Sequence, residues 1–318
     1  MYKGDRVMNA LQDLIKTYAS QYKEQVVEWR RHIHSHPELS GEEKHTSLFI
    51  QKVLGELGIP FVNDISDHAV IGKIEGAHTG PVIALRADMD ALPIHEITGL
   101  PFASQNEGVM HACGHDGHMA ILLGAAKMLM SMKDRIEGDV YLAFQPAEET
   151  GAGAPDFIKF GDWYDKVDAI FGGHVWIDLP AGLVSVEEGP RMAASSQITI
   201  NVKGKQGHGA QPHQAVDAIV VASAIVMNLQ TVVSRNVSAL DSVVVTIGNI
   251  HSGSEWNVIP GEASMGGTVR FFDPNQEQYI VDTIRRIVKH TAEAYGATAT
   301  LEYIKKVPPT INDLESSE

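Results

Sequence analysis

Three short runs in this chain carry the residue types that hold metal ions and move protons. They are His111-Ala-Cys113-Gly-His115-Asp116-Gly-His118, Pro146-Ala-Glu148-Glu149-Thr150 and Gly172-Gly-His174. Thiolate and imidazole favour zinc-like ions, and a carboxylate extends the range toward manganese. Two adjacent glutamates can divide labour: a cation holds one ionised, while the other is raised in pKa and takes a proton from an activated water. A structural metal site closes its coordination with cysteine and histidine alone. Carboxylates beside such ligands therefore point to metal-assisted hydrolysis.

Each motif alone has a plainer explanation. A single cysteine is often a small buried apolar residue, and adjacent acids usually form a solvated pair. The joint occurrence of Cys113, His115, Glu149 and His174 with Glu148 carries the case for a site. His111 and His118 are either packed histidines or supports for the ligands. Asp88 and Asp90, in Arg86-Ala-Asp88-Met-Asp90-Ala-Leu-Pro93, either orient a ligand histidine or cap a turn.

The elements around these runs alternate between helix and strand. Apolar spacing predicts helices over 11–36, where Pro37 stops the run, and over 42–57. Buried strands are expected over 69–74, 81–87, 139–144 and 169–171, with an apolar helix over 117–130. That alternation is an α/β layered domain, and the candidate ligands fall just past strand ends or at a helix start. After Gly189-Pro190 the pattern becomes strand 195–202, helix 214–233, strands 242–248 and 262–272, helix 276–294 and strand 297–303. The order β-α-β-β-α-β is a ferredoxin-like split unit.

Composition excludes several function classes. With 318 residues the chain is long for one core. There are 40 acidic against 25 basic residues, a net charge of -15, and no basic stripe, so no nucleic-acid partner is expected. One cysteine allows no internal disulfide, which suits a reducing compartment. No signal-peptide core is visible at the start and the apolar segments look too short or interrupted to span a bilayer, so a cytoplasmic protein is expected.

The motifs together resemble one family. Arg30-Arg-His-Ile-His-Ser-His-Pro-Glu38, the 86–93 run, the cysteine-histidine run and Gln145-Pro-Ala-Glu-Glu149 are similar to those of the aminoacylase-like metal-dependent amidohydrolases. That branch includes hippurate hydrolases, N-acyl-amino-acid hydrolases and plant auxin-conjugate hydrolases. The resemblance spans nearly the whole chain. It implies two divalent ions, with manganese, zinc, cobalt and nickel not distinguished, held by Cys113, His115, Glu149 and His174. Cys113 would bridge them, Glu148 would be the general base, and Asp90 would support a ligand. It also implies a metallopeptidase-like catalytic domain over 1–189 and an inserted ferredoxin-like dimerisation and lid domain over 190–303. In a homodimer, His208 would reach the partner's site to stabilise the oxyanion. Asn257 and Arg270 match substrate-binding positions, with Arg270 able to hold a carboxylate. The implied substrate is a small N-acyl amino acid.

Relatives of this kind continue beyond the Pro308-Pro-Thr-Ile-Asn-Asp313 stretch, which begins the return to the catalytic domain over 304–318. The continuation includes a last histidine ligand and part of the sheet, so the resemblance places both outside these residues. Two rivals to the amidohydrolase follow: a catalytically silent, dimerising relative, and a dipeptidase or aminopeptidase on the same scaffold.

Overall fold

Helix α1 (Lys3–Ser35) runs as one 33-residue element. It starts earlier than the apolar spacing predicts, because polar residues without a breaker extend a helix as readily as apolar ones. Its last turns bury Trp29 and Ile33, and it packs against α3 (His115–Ser131). Helix α2 (Lys44–Glu56) buries Ile50, Val53 and Leu54 on one face. The computed structural model describes residues 3–63 and 68–317. The chain divides into two units, Met1–Leu183 and Val184–Glu318.

The first unit is built on a five-stranded sheet in the order β1-β2-β4-β3-β5. Its strands are β1 (Phe61–Val62), β2 (Val70–Glu75), β3 (His78–Asp88), β4 (Glu137–Gln145) and β5 (Ala169–Gly172). β2 runs antiparallel to β4, while β3 is parallel to both β4 and β5. β4 is buried along most of its length because both its faces are covered. Val140, Leu142 and Phe144 point into a core with Trp29, Leu54, Met119 and Leu123. Tyr141 and Ala143 point the other way, toward Phe157 of α4 (Gly153–Lys159) and Trp163. Strand alternation thus divides one segment between two cores. The edge strand β5 exposes Ile170 and Phe171.

In the second unit, β7 (Ser195–Lys203), β9 (Val243–Ser252), β11 (Glu262–Phe271) and β12 (Thr298–Val307) form an antiparallel sheet in the order β12-β7-β11-β9. With α5 (Ala218–Thr231) between β7 and β9 and α6 (Glu277–Ala294) between β11 and β12, this is the split β-α-β-β-α-β arrangement. Ile198, Ile200, Ile225, Met265 and Ile284 meet in its core. Short pairs flank it: β8 (Gly207–His208) with β10 (Val258–Ile259), and β6 (Gly189–Met192) with β13 (Thr310–Asn312).

Three expectations differ from the structure. α5 begins at Ala218 rather than 214, because the Asp217 side chain caps it by accepting from the amides of Ile219 and Val220. The stretch Ala218–Asn236 is long and apolar enough to cross a membrane by length and composition. Its apolarity has a local use, since Ala218, Val221, Ala222, Ile225 and Leu229 are buried in the unit's core. Finally, β12 runs past Tyr303 to Val307 and β13 returns to β6, so 304–312 belong to the second unit's sheets.

Leu142 is fully buried at the centre of β4, whereas Leu240 is 95% exposed. Leu142→Ala is expected to cost about 2–5 kcal/mol, and Leu240→Ala no more than about 0.5 kcal/mol. Urea unfolding followed by tryptophan fluorescence reads the first, because Trp29 and Trp163 line the two cores beside β4. Similar midpoints for Leu142→Ala and the wild type would contradict the placement of β4.

Candidate metal centre

The parallel ladder brings three chain exits to one level: Asp88 lies opposite Gln145, and Arg86 opposite Gly172. Asp88 and Asp90 thus end β3, Glu148 and Glu149 follow β4, and His174 follows β5. This is the carboxyl end of the strands, where α/β sheets place their sites. Cys113 and His115 arrive from the loop before α3. Gly114 between them has φ +89°, and a Cβ there would lie 2.3 Å from Val175 Cγ2. Glycine therefore lets the cysteine-histidine turn close onto the stretch of chain that follows β5.

Hydrogen bonds fix which ring nitrogens face the centre. His115 Nδ1 donates to the Asp90 carbonyl at 2.8 Å. Among the described residues its buried Nε2 has no hydrogen-bond partner, and it lies 3.7 Å from Asp88 Oδ2 and 3.8 Å from Glu149 Oε1. His174 Nδ1 donates to the Val175 carbonyl at 2.6 Å, which leaves Nε2 3.5 Å from Cys113 Sγ. His115 therefore belongs to two potential ligand groups, one with Cys113 and His174 and one with Glu148 and Glu149. A buried lone pair aimed at a thiol and carboxylates fits a divalent ion.

A third group, Asp88, His115 and His118, is also close enough to hold an ion, but its hydrogen bonds argue otherwise. His118 Nε2 accepts from the Val175 amide at 2.9 Å, so its Nδ1 donates to Asp88 Oδ1 at 2.5 Å. Asp88 Oδ2 accepts from Arg86 Nη1 at 2.6 Å. With both its nitrogens engaged, His118 props the backbone of Val175, whose carbonyl in turn orients His174.

The electrostatics favour a cation. Burial works against charge on His115, yet Asp90, Cys113 and Asp88 outweigh it and push its pKa up to about 11. A field that holds a proton this firmly also favours a metal ion in its place. Burial likewise opposes charge on Asp88 and Asp90, but hydrogen bonds from His118 and His115 respectively, with other partners, hold both carboxyls below their ordinary value. Glu148 moves the opposite way: burial first, then the charges of Asp88 and Glu149, raise it against the pull of Arg86.

Residues 84–317 match the family model for peptidase family M20/M25/M40. An N-acetyl-L-cysteine deacetylase of Bacillus subtilis is 42% identical over 98% of this chain and 74% of its own length. An N-acyl-L-amino acid amidohydrolase of Geobacillus stearothermophilus is 41% identical over 94% of this chain and 80% of its own. The chain belongs to peptidase family M20/M25/M40. Among solved structures, a dinuclear metal binding M20 peptidase of Bacillus subtilis superposes with a TM-score of 0.81 at 38% identity, covering 93% of this chain and 77% of that one.

Other candidate residues of this M20 chain lie in the second unit. His208, on β8, pairs with Val258, and the Gly209 amide donates to the Asn257 carbonyl at 2.8 Å, so His208 and Asn257 share one loop pair. Arg270 stands near the far end of β11, which starts at Glu262 just after that pair. At the strand rise of roughly 3.3 Å per residue, Arg270 lies about 26 Å from the start of β11. The structure does not bring it to His208.

Several residues behind the centre stand in the quoted motifs, but sequence does not say what they touch. His34 Nδ1 bonds Asp116 Oδ2 at 3.0 Å and its Nε2 bonds Glu96 Oε1 at 3.3 Å, while Arg30 Nε donates to the same Asp116 oxygen at 2.9 Å. His111 is buried with neither nitrogen partnered among the described residues, and burial lowers its pKa to about 4. Glu43 reads in sequence as one of two surface acids, yet it is fully buried.

Asp116 is the charged hub behind the first turn of α3. Burial resists its ionisation, but the His34 hydrogen bond and the charges of His111 and Arg30 hold its pKa at about 2, below an ordinary 3.8. The unfolded chain takes up this proton first as pH falls. The stabilisation is therefore complete above about pH 4 and disappears toward pH 2. Asp116→Asn should flatten the acid limb of the stability curve by on the order of 2 kcal/mol across that window. Urea unfolding of metal-free protein across the window checks this, and parallel curves for variant and wild type would refute it.

Proposed function

We propose that this chain binds two divalent ions and hydrolyses the amide bond of N-acyl amino acids. The observation that carries the proposal is the pair of Nε2 atoms that His115 and His174 turn toward Cys113 and the glutamates. Both are fixed by hydrogen bonds at Nδ1, and both face Cys113 or Glu149 beside a half-buried Glu148. Cys113, His115, Glu149 and His174 are the residues that would hold the ions. Asp90 holds His115 in the tautomer that presents Nε2. The names of the deacetylase and amidohydrolase relatives support the substrate class.

Bound divalent ions supply Lewis acidity, polarising the amide carbonyl and making water easier to deprotonate. Glu148 is the proposed general base, and burial raises its pKa above that of an ordinary carboxylate, which makes it the better proton acceptor. It takes a proton from the attacking water as oxygen bonds to the carbonyl carbon. It returns the proton to the amine nitrogen as the C–N bond breaks, releasing a carboxylic acid and an amino acid.

The second unit, centred on 190–303, is proposed to make a homodimer in which His208 and Asn257 serve the partner's site. Their separation from Arg270 along β11 exceeds the length of an N-acyl amino acid. That supports different copies supplying them to one substrate. Arg270 is the proposed partner of the substrate carboxylate, through two parallel hydrogen bonds.

Glu148→Gln is expected to lower turnover of N-acetyl amino acids by about 10²–10⁴-fold while metal content after dialysis stays at the wild-type level. Cys113→Ala and Glu149→Gln should instead lose metal. Turnover near wild type in Glu148→Gln would place the base elsewhere. His208→Ala should lower kcat with dimerisation intact by light scattering, and a monomeric wild type would count against the shared site.

A further inference from the structure

Glu43 aims a buried carboxyl at a backbone amide over a hundred residues away. It precedes α2 but does not cap that helix with its side chain. Instead Oε1 crosses to accept from the Ala147 amide at 2.7 Å, and the buried Oε2 has no partner within hydrogen-bond geometry among the described residues. Burial pushes its pKa up to about 7. Burying a carboxyl is costly unless hydrogen bonds or a counter-charge offset it, so the bond it makes here is worth following.

Ala147 is what it holds. Its φ of +52° is left-handed, unusual for a residue with a side chain. Its carbonyl accepts from the amides of Ala152 and Gly153, both at 3.3 Å, and from Thr150 Oγ1 at 3.2 Å. Gly153 has no room for a Cβ, which would sit 1.8 Å from the Pro146 carbonyl. Two residues on, the Glu149 amide donates to Asp90 Oδ2 at 2.9 Å, and Ser40 Oγ donates to the same oxygen at 2.6 Å. Two carboxylates therefore grip alternate backbone amides, one on each side of Glu148.

We infer that Glu43 is a positioning residue, which aims Glu148 and Glu149 into the centre by holding Ala147 in its left-handed conformation. The inference rests on the roles proposed above for Glu148 and Glu149. Released at Ala147, the backbone would relax toward a right-handed or extended conformation. The two glutamates would then turn together, because they share the peptide that follows it. A side chain that served packing alone would be replaceable by leucine.

The test compares Glu43→Leu, Glu43→Gln and Glu43→Leu with Ala147→Gly, all in the full chain. Hydrogen exchange at the Ala147 amide, read by mass spectrometry, requires neither metal nor substrate and so is independent of the proposed activity. Zinc affinity by dye competition and kcat against KM then report on the two glutamates. Glu43→Leu should speed exchange at Ala147 by about ten- to a hundredfold, the cost of leaving a buried amide without its acceptor. It should also weaken zinc binding and lower kcat more than it changes KM. Glu43→Gln keeps the acceptor oxygen and should stay within about threefold of wild type. Glycine favours positive φ, so Ala147→Gly should recover part of what leucine loses. Wild-type exchange and zinc affinity in Glu43→Leu would overturn the inference. So would a folded Glu43→Gln that is as impaired as a folded Glu43→Leu. If Glu43→Leu does not fold, a glutamine variant with rapid Ala147 exchange overturns the inference and one with wild-type exchange and kcat upholds it.

Discussion

The ladder between β3 and its parallel neighbours sets where Glu148, Glu149 and His174 can be, and so where Cys113 and His115 must meet them. Parallel strands point the same way, so their carboxyl ends emerge together, and the pairing of Asp88 with Gln145 and Arg86 with Gly172 levels them. A one-residue slip of β4 would turn its two buried faces around and carry Glu148 and Glu149 along the strand direction. The sheet resists that slip because Val140, Leu142 and Phe144 fit one core and Tyr141 and Ala143 the other. Packing far from the chemistry thus specifies its geometry.

Around that frame, hydrogen bonds sort histidines of similar sequence context into different tasks. His115 and His118 stand three apart on α3, on the same side of the helix. One spends Nδ1 on a carbonyl and presents a bare Nε2, while the other uses both nitrogens between Asp88 and the Val175 amide. His34 is spent on Asp116 and Glu96. Backbone carbonyls accept and never donate, so the tautomers of His115 and His174 follow from their partners alone.

Sequence periodicity located the main strands of both units and the β-α-β-β-α-β order, because apolar alternation directly reflects faces buried in a core. It also singled out Cys113, His115, Glu149 and His174, whose residue types are unusual in such proximity. Spacing could not say which histidine presents a free nitrogen, since that depends on the main chain at Asp90 and Val175. Glu43 was illegible for a related reason: its partner Ala147 is over a hundred residues away and contributes only an amide. The helix start at Ala218 turned on a cap at Asp217 that periodicity does not weigh. The roles of His208, Asn257 and Arg270 came from resemblance, and residue type alone would have left His208 a loop histidine.

β2 ends at Glu75 and β3 begins at His78, yet the two are not neighbours, because β4 lies between them. A tight link of this kind invites a local hairpin, and the native sheet forbids it. The gap between β2 and β3 must wait for a strand that the chain supplies only after the long loop and α3. That makes the central pairing of the first unit non-local, and pairings of this kind are slow to form. During synthesis, β2 and β3 would leave the ribosome with two unsatisfied edges facing each other. Their premature union is the trap this topology has to avoid.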